Sequence, residues 1–296
     1  MQRTLVLYDE LRSAVLKQHD TELSRRLLTS ILPEKPLADT AVLLGALATL
    51  RPDIMINDEA ISGPTSPLRL LLEAQILPSP ALFVGLVDTL LMQANGNWFG
   101  NGKGLLRRVE ERAASEGKEV YSVMAKARFL YPFNVGNIHW TSAMADIEAK
   151  AVEYYDSMLS SGEAWPLCKR VIGVVVTRSL IAFASTEPTR SDPTMDRLMR
   201  KHVRPHLEWL RELGFPIGDL DEWTFVNKSS QRTNQGPTLD CGLFSVLIMM
   251  LSAGGVDLSQ EQHSVSASIM GEKLRRKIAY TMCFPTEVGA CFLPQS

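Results

Sequence analysis

The chain has 296 residues, of which 45% are hydrophobic and 22% charged, with a formal net charge of −2 from 31 basic and 33 acidic side chains. That length corresponds to one large domain or two small ones at about 100–200 residues each, and it buries a sizeable core without help from disulfides or metals. The near balance of charge excludes a protein built around a strongly basic surface, so no nucleic-acid partner is expected.

In chain order, residues 1–32 read as helical, with Leu11, Val15, Leu16, Leu23, Leu27 and Leu28 forming a moderate apolar stripe that needs a partner surface. Pro33 and Pro36 stop that helix. Residues 1–37 are therefore read as an N-terminal helical extension and 38–296 as the main domain. From 38 to 117 the pattern stays mostly helical. Asp39 is placed to cap a helix running to residue 50, another helix starts across 57–61, and two more cover 68–76 and 81–93. Residues 95–104 (NGNWFGNGKG) read as a loop and 105–115 as a charged helix. The loop lacks G-x-x-x-x-G-K-[ST], so it is not a P-loop.

The period then changes. Segments 127–135, 138–147 and 151–157 are short, rich in aromatic and branched residues, and separated by turn residues, which predicts neighbouring antiparallel strands. Helical character returns over 165–214. Residues 222–227 suggest one more strand, a helix starts near Cys241 and runs to about 252, and a last one covers roughly 266–282. Helices around a compact sheet block make the fold class α+β. The apolar runs 171–184 and 81–92 are interrupted by Arg178 and Asp88, and 243–253 is short of the ~18 residues of a membrane span, so no membrane partner is expected. The N-terminus lacks the apolar core of a signal peptide. The four cysteines, Cys168, Cys241, Cys283 and Cys291, form no C-x-x-C pair, which argues for free thiols in a reducing compartment, nucleus or cytoplasm.

Cys241 has the most informative setting. In QGPTLDCGLFSVLIMM (235–250) a loop ends at Asp240 and an apolar helix follows. A cysteine in the first turn of a helix meets unpaired amides and the positive end of the macrodipole, which favour thiolate. The alternative is a buried small hydrophobe, the ordinary fate of a free cysteine. Gly242 leaves room beside the sulfur for a substrate backbone. A nucleophilic thiol needs a base, and the base an orienting group. Of the five histidines, His19 sits in the extension, His263 in a polar stretch, and His202 and His206 in a charged helix that reads as solvated. His139 begins a strand beside Trp140. If strands 138–147 and 151–157 pair as a hairpin, Asp156 arrives next to His139, where a carboxylate accepts one imidazole hydrogen and leaves the other nitrogen for the thiol. Gln235, or its rival Gln231, is placed to supply an amide donor that forms an oxyanion hole with the Cys241 backbone.

The order His139–Trp140, Asp156, Gln235, Asp240–Cys241–Gly242 resembles the ubiquitin-like-protein proteases, the family that includes the SUMO-specific proteases. The segment LYPFNVGNIHW (130–140) is similar to that family's strand into the histidine, and MINDEAI (55–61) to its W-L-N-D-E-x-I motif. The resemblance covers about 38–283. It implies a papain-like fold of the ubiquitin-like-protein protease type, with a mostly antiparallel sheet and a helical insertion near 165–190. It implies a cysteine isopeptidase or endopeptidase that cleaves after the C-terminal glycine of a ubiquitin-like modifier, SUMO foremost, acting as a monomer with no metal or organic cofactor. His139, Asp156, Gln235 and Cys241 match the catalytic residues, and Trp140, Met55, Asn57, Asp58 and Gly242 the substrate-side ones. Met55 stands where the family has a tunnel tryptophan. Two alternatives use the same residues differently: an acetyltransferase, with Arg107, Arg108, Lys273, Arg275, Arg276 or Lys277 receiving coenzyme A phosphates, and a non-catalytic member that only binds a modifier.

Overall fold

The computed structural model describes residues 10–11, 13–14, 22–23, 25–27, 37–50, 56–57, 60–61, 66–73, 83–87, 102–136, 139–157, 193–229, 240–253, 275–280 and 282–283. Helix α1 (Leu37–Ala48) and α2 (Pro67–Glu73) precede strand β1 (Phe83–Leu86). Then come α3 (Gly102–Glu116), α4 (Val120–Ala125), β2 (Ala127–Val135), β3 (His139–Asp146) and β4 (Ala151–Tyr155). Helix α5 (Pro193–Leu198), a π turn (Met199–Val203) and α6 (Arg204–Glu212) lead through a 3-10 turn (Leu220–Glu222) to β5 (Thr224–Asn227). The helix α7 (Cys241–Ala253) comes next, and 275–280 and 282–283 are helical.

The sheet has the order β1-β2-β3-β4-β5. Its inner pairings, β2 with β3 and β3 with β4, are antiparallel as the three-strand pattern predicts, whereas β1 joins β2 and β5 joins β4 in parallel. The sheet is thus mixed. β1 falls inside the stretch 81–93 expected as helix. Four apolar residues carry no period that separates a short buried strand from a helix turn, and pairing with β2 decides the matter. Asp39 likewise lies within α1 rather than at its cap.

Alternation along β2 and β3 sorts side chains into two cores. Phe129, Tyr131 and Phe133 of β2, with Ala143 and Ala145 of β3, pack against α3, α4 and α6. Leu130, Trp140 and Met144 point to the other face and share a cluster with Leu43 and Leu47 of α1, Leu68 of α2, and Cys241, Leu243 and Val246 of α7. Burial on both faces follows from helices on both sides, and strands of this kind are apolar at odd and even positions alike. Pro132 is tolerated in the middle of β2 because β1 pairs only as far as Leu130. Leu11, Ala14 and Leu27 lie buried in the same cluster as Cys241, with Leu23 packed against it, so these residues share a core with β3 and α7. No helix among the described residues is long and apolar enough to cross a membrane. The insertion near 165–190 lies outside the described residues.

His202 and His206, expected in solvent, are buried. The π turn widens the helix by one residue and rotates the turns C-terminal to it. Both rings face the sheet: the His202 ring centroid is 6.0 Å from that of Phe133, and His206 Nδ1 sits 2.9 Å from Tyr131 Oη. Burial depresses His206 to about 3. It depresses His202 to about 4, with Lys201 and Arg197 adding to the effect. Both rings are neutral, and the His206 tautomer decides which of Tyr131 Oη and His206 Nδ1 donates.

Candidate active site

Three elements converge where β3 begins. The β3–β4 hairpin pairs Ser142 with Tyr155, so the residues just outside that pair lie at the same end of the sheet. His139 opens β3, and Asp156 follows the last residue of β4. Their contact is direct: His139 Nε2 and Asp156 Oδ1 are 2.8 Å apart. A carboxylate only accepts, which fixes the hydrogen on Nε2 and leaves Nδ1 with its lone pair in the neutral ring. The Asp156 backbone amide donates to Ser229 Oγ at 2.9 Å, and Ser229 is buried just beyond β5. The end of β4 is thereby tied to the end of β5.

The third element is α7, whose first residue is Cys241. Its sulfur accepts a hydrogen bond from the backbone amide of Trp140 at 3.4 Å, which sets the thiol against the start of β3. Only 3% of Cys241 is exposed, and it is a free thiol. His139 Nδ1 is buried and makes no hydrogen bond among the described residues. The Cys241 sulfur lies near enough to act on the ring. Burial opposes a charged imidazole, but Asp156, by charge and hydrogen bond, and the Cys241 sulfur together outweigh it and hold His139 well above the usual histidine range.

Of the residues expected on the substrate side, Trp140, Asn57 and Gly242 are among the described ones. Trp140 is 1% exposed, and its indole donates to the Ile56 carbonyl at 2.9 Å. A Cβ on Gly242 would meet Ile56 Cγ1 at 2.4 Å and Trp140 Cδ1 at 3.1 Å. The room beside Gly242 is therefore filled by the protein's own core, and the glycine serves close helix packing, not an open substrate channel. Asn57 turns to its own chain: its Oδ1 accepts the Ala60 amide at 3.1 Å, capping a helical turn, and its amide donates to Thr49 Oγ1 at 3.3 Å. Met55, Asp58, Gln235 and Gln231 lie outside the described residues.

Two groups escaped the sequence reading. Ile56, inside MINDEAI, is the contact between that motif and the site, and its apolar side chain carried no chemical signal. Arg275, counted as a candidate for coenzyme A phosphates, is 3% exposed and bound to Asp240, with Nε and Nη2 at 3.0 and 2.5 Å from Oδ1. It is thus committed inside the protein. Of the other basic candidates, Arg107 pairs with Glu111 at 3.7 Å on the exposed face of α3.

Residues 101–284, more than half of the chain, match the model of the Ulp1 protease family, C-terminal catalytic domain. No curated protein sequence matches. Among solved structures, the SUMO protease Ulp1 with its catalytic cysteine oxidized to a sulfenic acid aligns over 96% of this chain and 95% of its own, at 14% identity and a TM-score of 0.53. The Chaetomium thermophilum Ulp1-like SUMO protease catalytic domain aligns over 83% of this chain and 78% of its own, at 17% identity and a TM-score of 0.50. At such identities the likeness is one of fold.

Proposed function

The chain belongs to the Ulp1 protease family, and from that premise we propose that it is a cysteine peptidase releasing a ubiquitin-like modifier, SUMO foremost, by cleavage after the modifier's C-terminal glycine. The observation that carries this reading is the His139–Asp156 pair at 2.8 Å, standing beside the sulfur of Cys241.

The steps divide among these groups. His139 Nδ1 takes the Cys241 proton, and Asp156 stabilises the resulting imidazolium. The raised affinity of His139 for a proton favours its holding the one taken from the thiol. The thiolate attacks the glycine carbonyl carbon. Negative charge moves to the carbonyl oxygen, where the Cys241 amide and the side chain of Gln235 donate hydrogen bonds, a role for Gln235 that rests on its spacing and family resemblance. One such donor is worth about 3–4 kcal/mol in the transition state. His139 then protonates the departing amine. Water, deprotonated by His139, hydrolyses the thioester and restores the thiol.

SUMO as the modifier is supported by the names of the solved structures that share the fold. The test is fluorophore release from SUMO and from ubiquitin carrying C-terminal aminomethylcoumarin. Release from SUMO by the wild-type chain, abolished in Cys241→Ala, is the expected result. Release from ubiquitin alone overturns the choice of modifier, and release undiminished in Cys241→Ala overturns the nucleophile.

A further inference from the structure

We propose that Arg275 is a positioning residue for this reaction: by neutralising and holding Asp240 it keeps the start of α7, and hence Cys241, in place and free of an uncompensated negative neighbour. The inference rests on the reading of Cys241 as the nucleophile.

The geometry is that of a clamp. Asp240 immediately precedes the thiol, and its carbonyl accepts the Phe244 amide at 3.0 Å, so its backbone forms the first hydrogen-bonded turn of α7. Its side chain receives two nitrogens of Arg275 on one oxygen. Both side chains are buried, Arg275 at 4% exposure and Asp240 at 9%. Arg275 also reaches the Thr49 carbonyl with Nη1 at 3.3 Å, and the Thr49 hydroxyl in turn accepts the Asn57 amide. One guanidinium from the C-terminal helical segment thus joins the end of α1, the 56–57 motif and the nucleophile's helix. Lysine cannot reproduce this, because a point charge lacks the planar fork that serves two directions.

The electrostatic consequence comes from position. The N-terminal end of α7 favours a thiolate. A bare carboxylate one residue away works against it, and the guanidinium cancels that opposition. The charged groups around Cys241 among the described residues are His139 of β3, Asp156 behind it, Asp240 beside it and Arg275 behind Asp240.

The experiment measures alkylation of Cys241 by iodoacetamide against pH, read by mass on the Cys241 peptide, in the full chain without any modifier. Arg275→Gln is expected to raise the pH of half-maximal alkylation by about one unit, the scale of a single uncompensated neighbouring charge. Asp240→Asn is expected to lower it, and the double variant to return it to near the wild-type value. Loss of packing alone moves both single variants in the same direction, so shifts of one sign, or none, overturn the proposal. Should Arg275→Gln yield no folded protein, Asp240→Asn decides by itself: a fall supports the proposal, and an unchanged or raised value overturns it. Because alkylation needs no modifier, opposed shifts in a chain that cleaves nothing would leave standing the coupling of Arg275 and Asp240 to the Cys241 thiol and would remove the proposed function, and with it the positioning role in that reaction.

Discussion

Asp156 reaches His139 across a hairpin, 17 residues away in sequence and 2.8 Å away in space. The contact exists because β3 and β4 pair antiparallel through Ser142 and Tyr155, which brings the start of one strand and the residue after the other to the same end. Strand register therefore sets the contact between this imidazole and this carboxylate, before any property of a substrate enters.

Asp156→Asn tests that pair through pH. An amide keeps the shape and removes the charge. His139 then loses its strongest support for the proton, so the alkaline limb of kcat/KM should move down toward the ordinary imidazole value. Activity at neutral pH should fall on the order of 10²–10⁴-fold, by comparison with other catalytic triads. The stability sign is also fixed. A raised folded value means the pair stabilises fully below the unfolded imidazole value of about 6.5 and loses that contribution as pH rises through the folded value. Denaturant unfolding should show the largest cost of Asp156→Asn near pH 6 and a smaller one in the alkaline range.

Gly242→Ala tests the packing of α7 on Ile56. The added methyl meets Ile56 Cγ1 at 2.4 Å, within the core rather than at its rim. Overpacking of this kind costs about 1–3 kcal/mol. Thermal unfolding should show the loss, and Ile56→Ala in the same chain should recover part of it. Full additivity of the two substitutions would mean that they do not share the contact.

The buried histidines on the far face give a separate acid signature. His206 is depressed to about 3 and His202 to about 4, while the unfolded chain protonates both near 6.5. Stability is present above that unfolded value and falls as pH drops toward the folded ones. Each ring contributes a slope of about 1.4 kcal/mol per pH unit within its window. His202→Gln should remove roughly one such slope between about pH 6 and pH 4 from the denaturant-unfolding profile. An unchanged slope would contradict a neutral buried His202.

Much of the site was legible because its chemistry is local to strand ends and a helix start. His139 and Asp156 follow from hairpin register, and Cys241 from the passage of a loop into an apolar helix. Other features depend on partners remote in sequence. β1 is a strand only because β2 accepts it. His202 and His206 sit in a charged stretch whose π turn no periodicity announces. Gly242 looks like open space until Ile56, far earlier in the chain, fills it. Arg275 reads as a solvated cation among other cations until Asp240 takes it up.

The central claim is that Cys241 attacks with His139 as its base. The most direct measurement is covalent capture with SUMO bearing an electrophile at its C-terminal glycine, followed by mass analysis of the cysteine peptides. The account predicts an adduct on Cys241, abolished in Cys241→Ala and slowed at least about a hundredfold in His139→Ala, on the order expected when a catalytic base is removed. An adduct on Cys168, Cys283 or Cys291 in place of Cys241, or capture at Cys241 that is indifferent to His139, would contradict it.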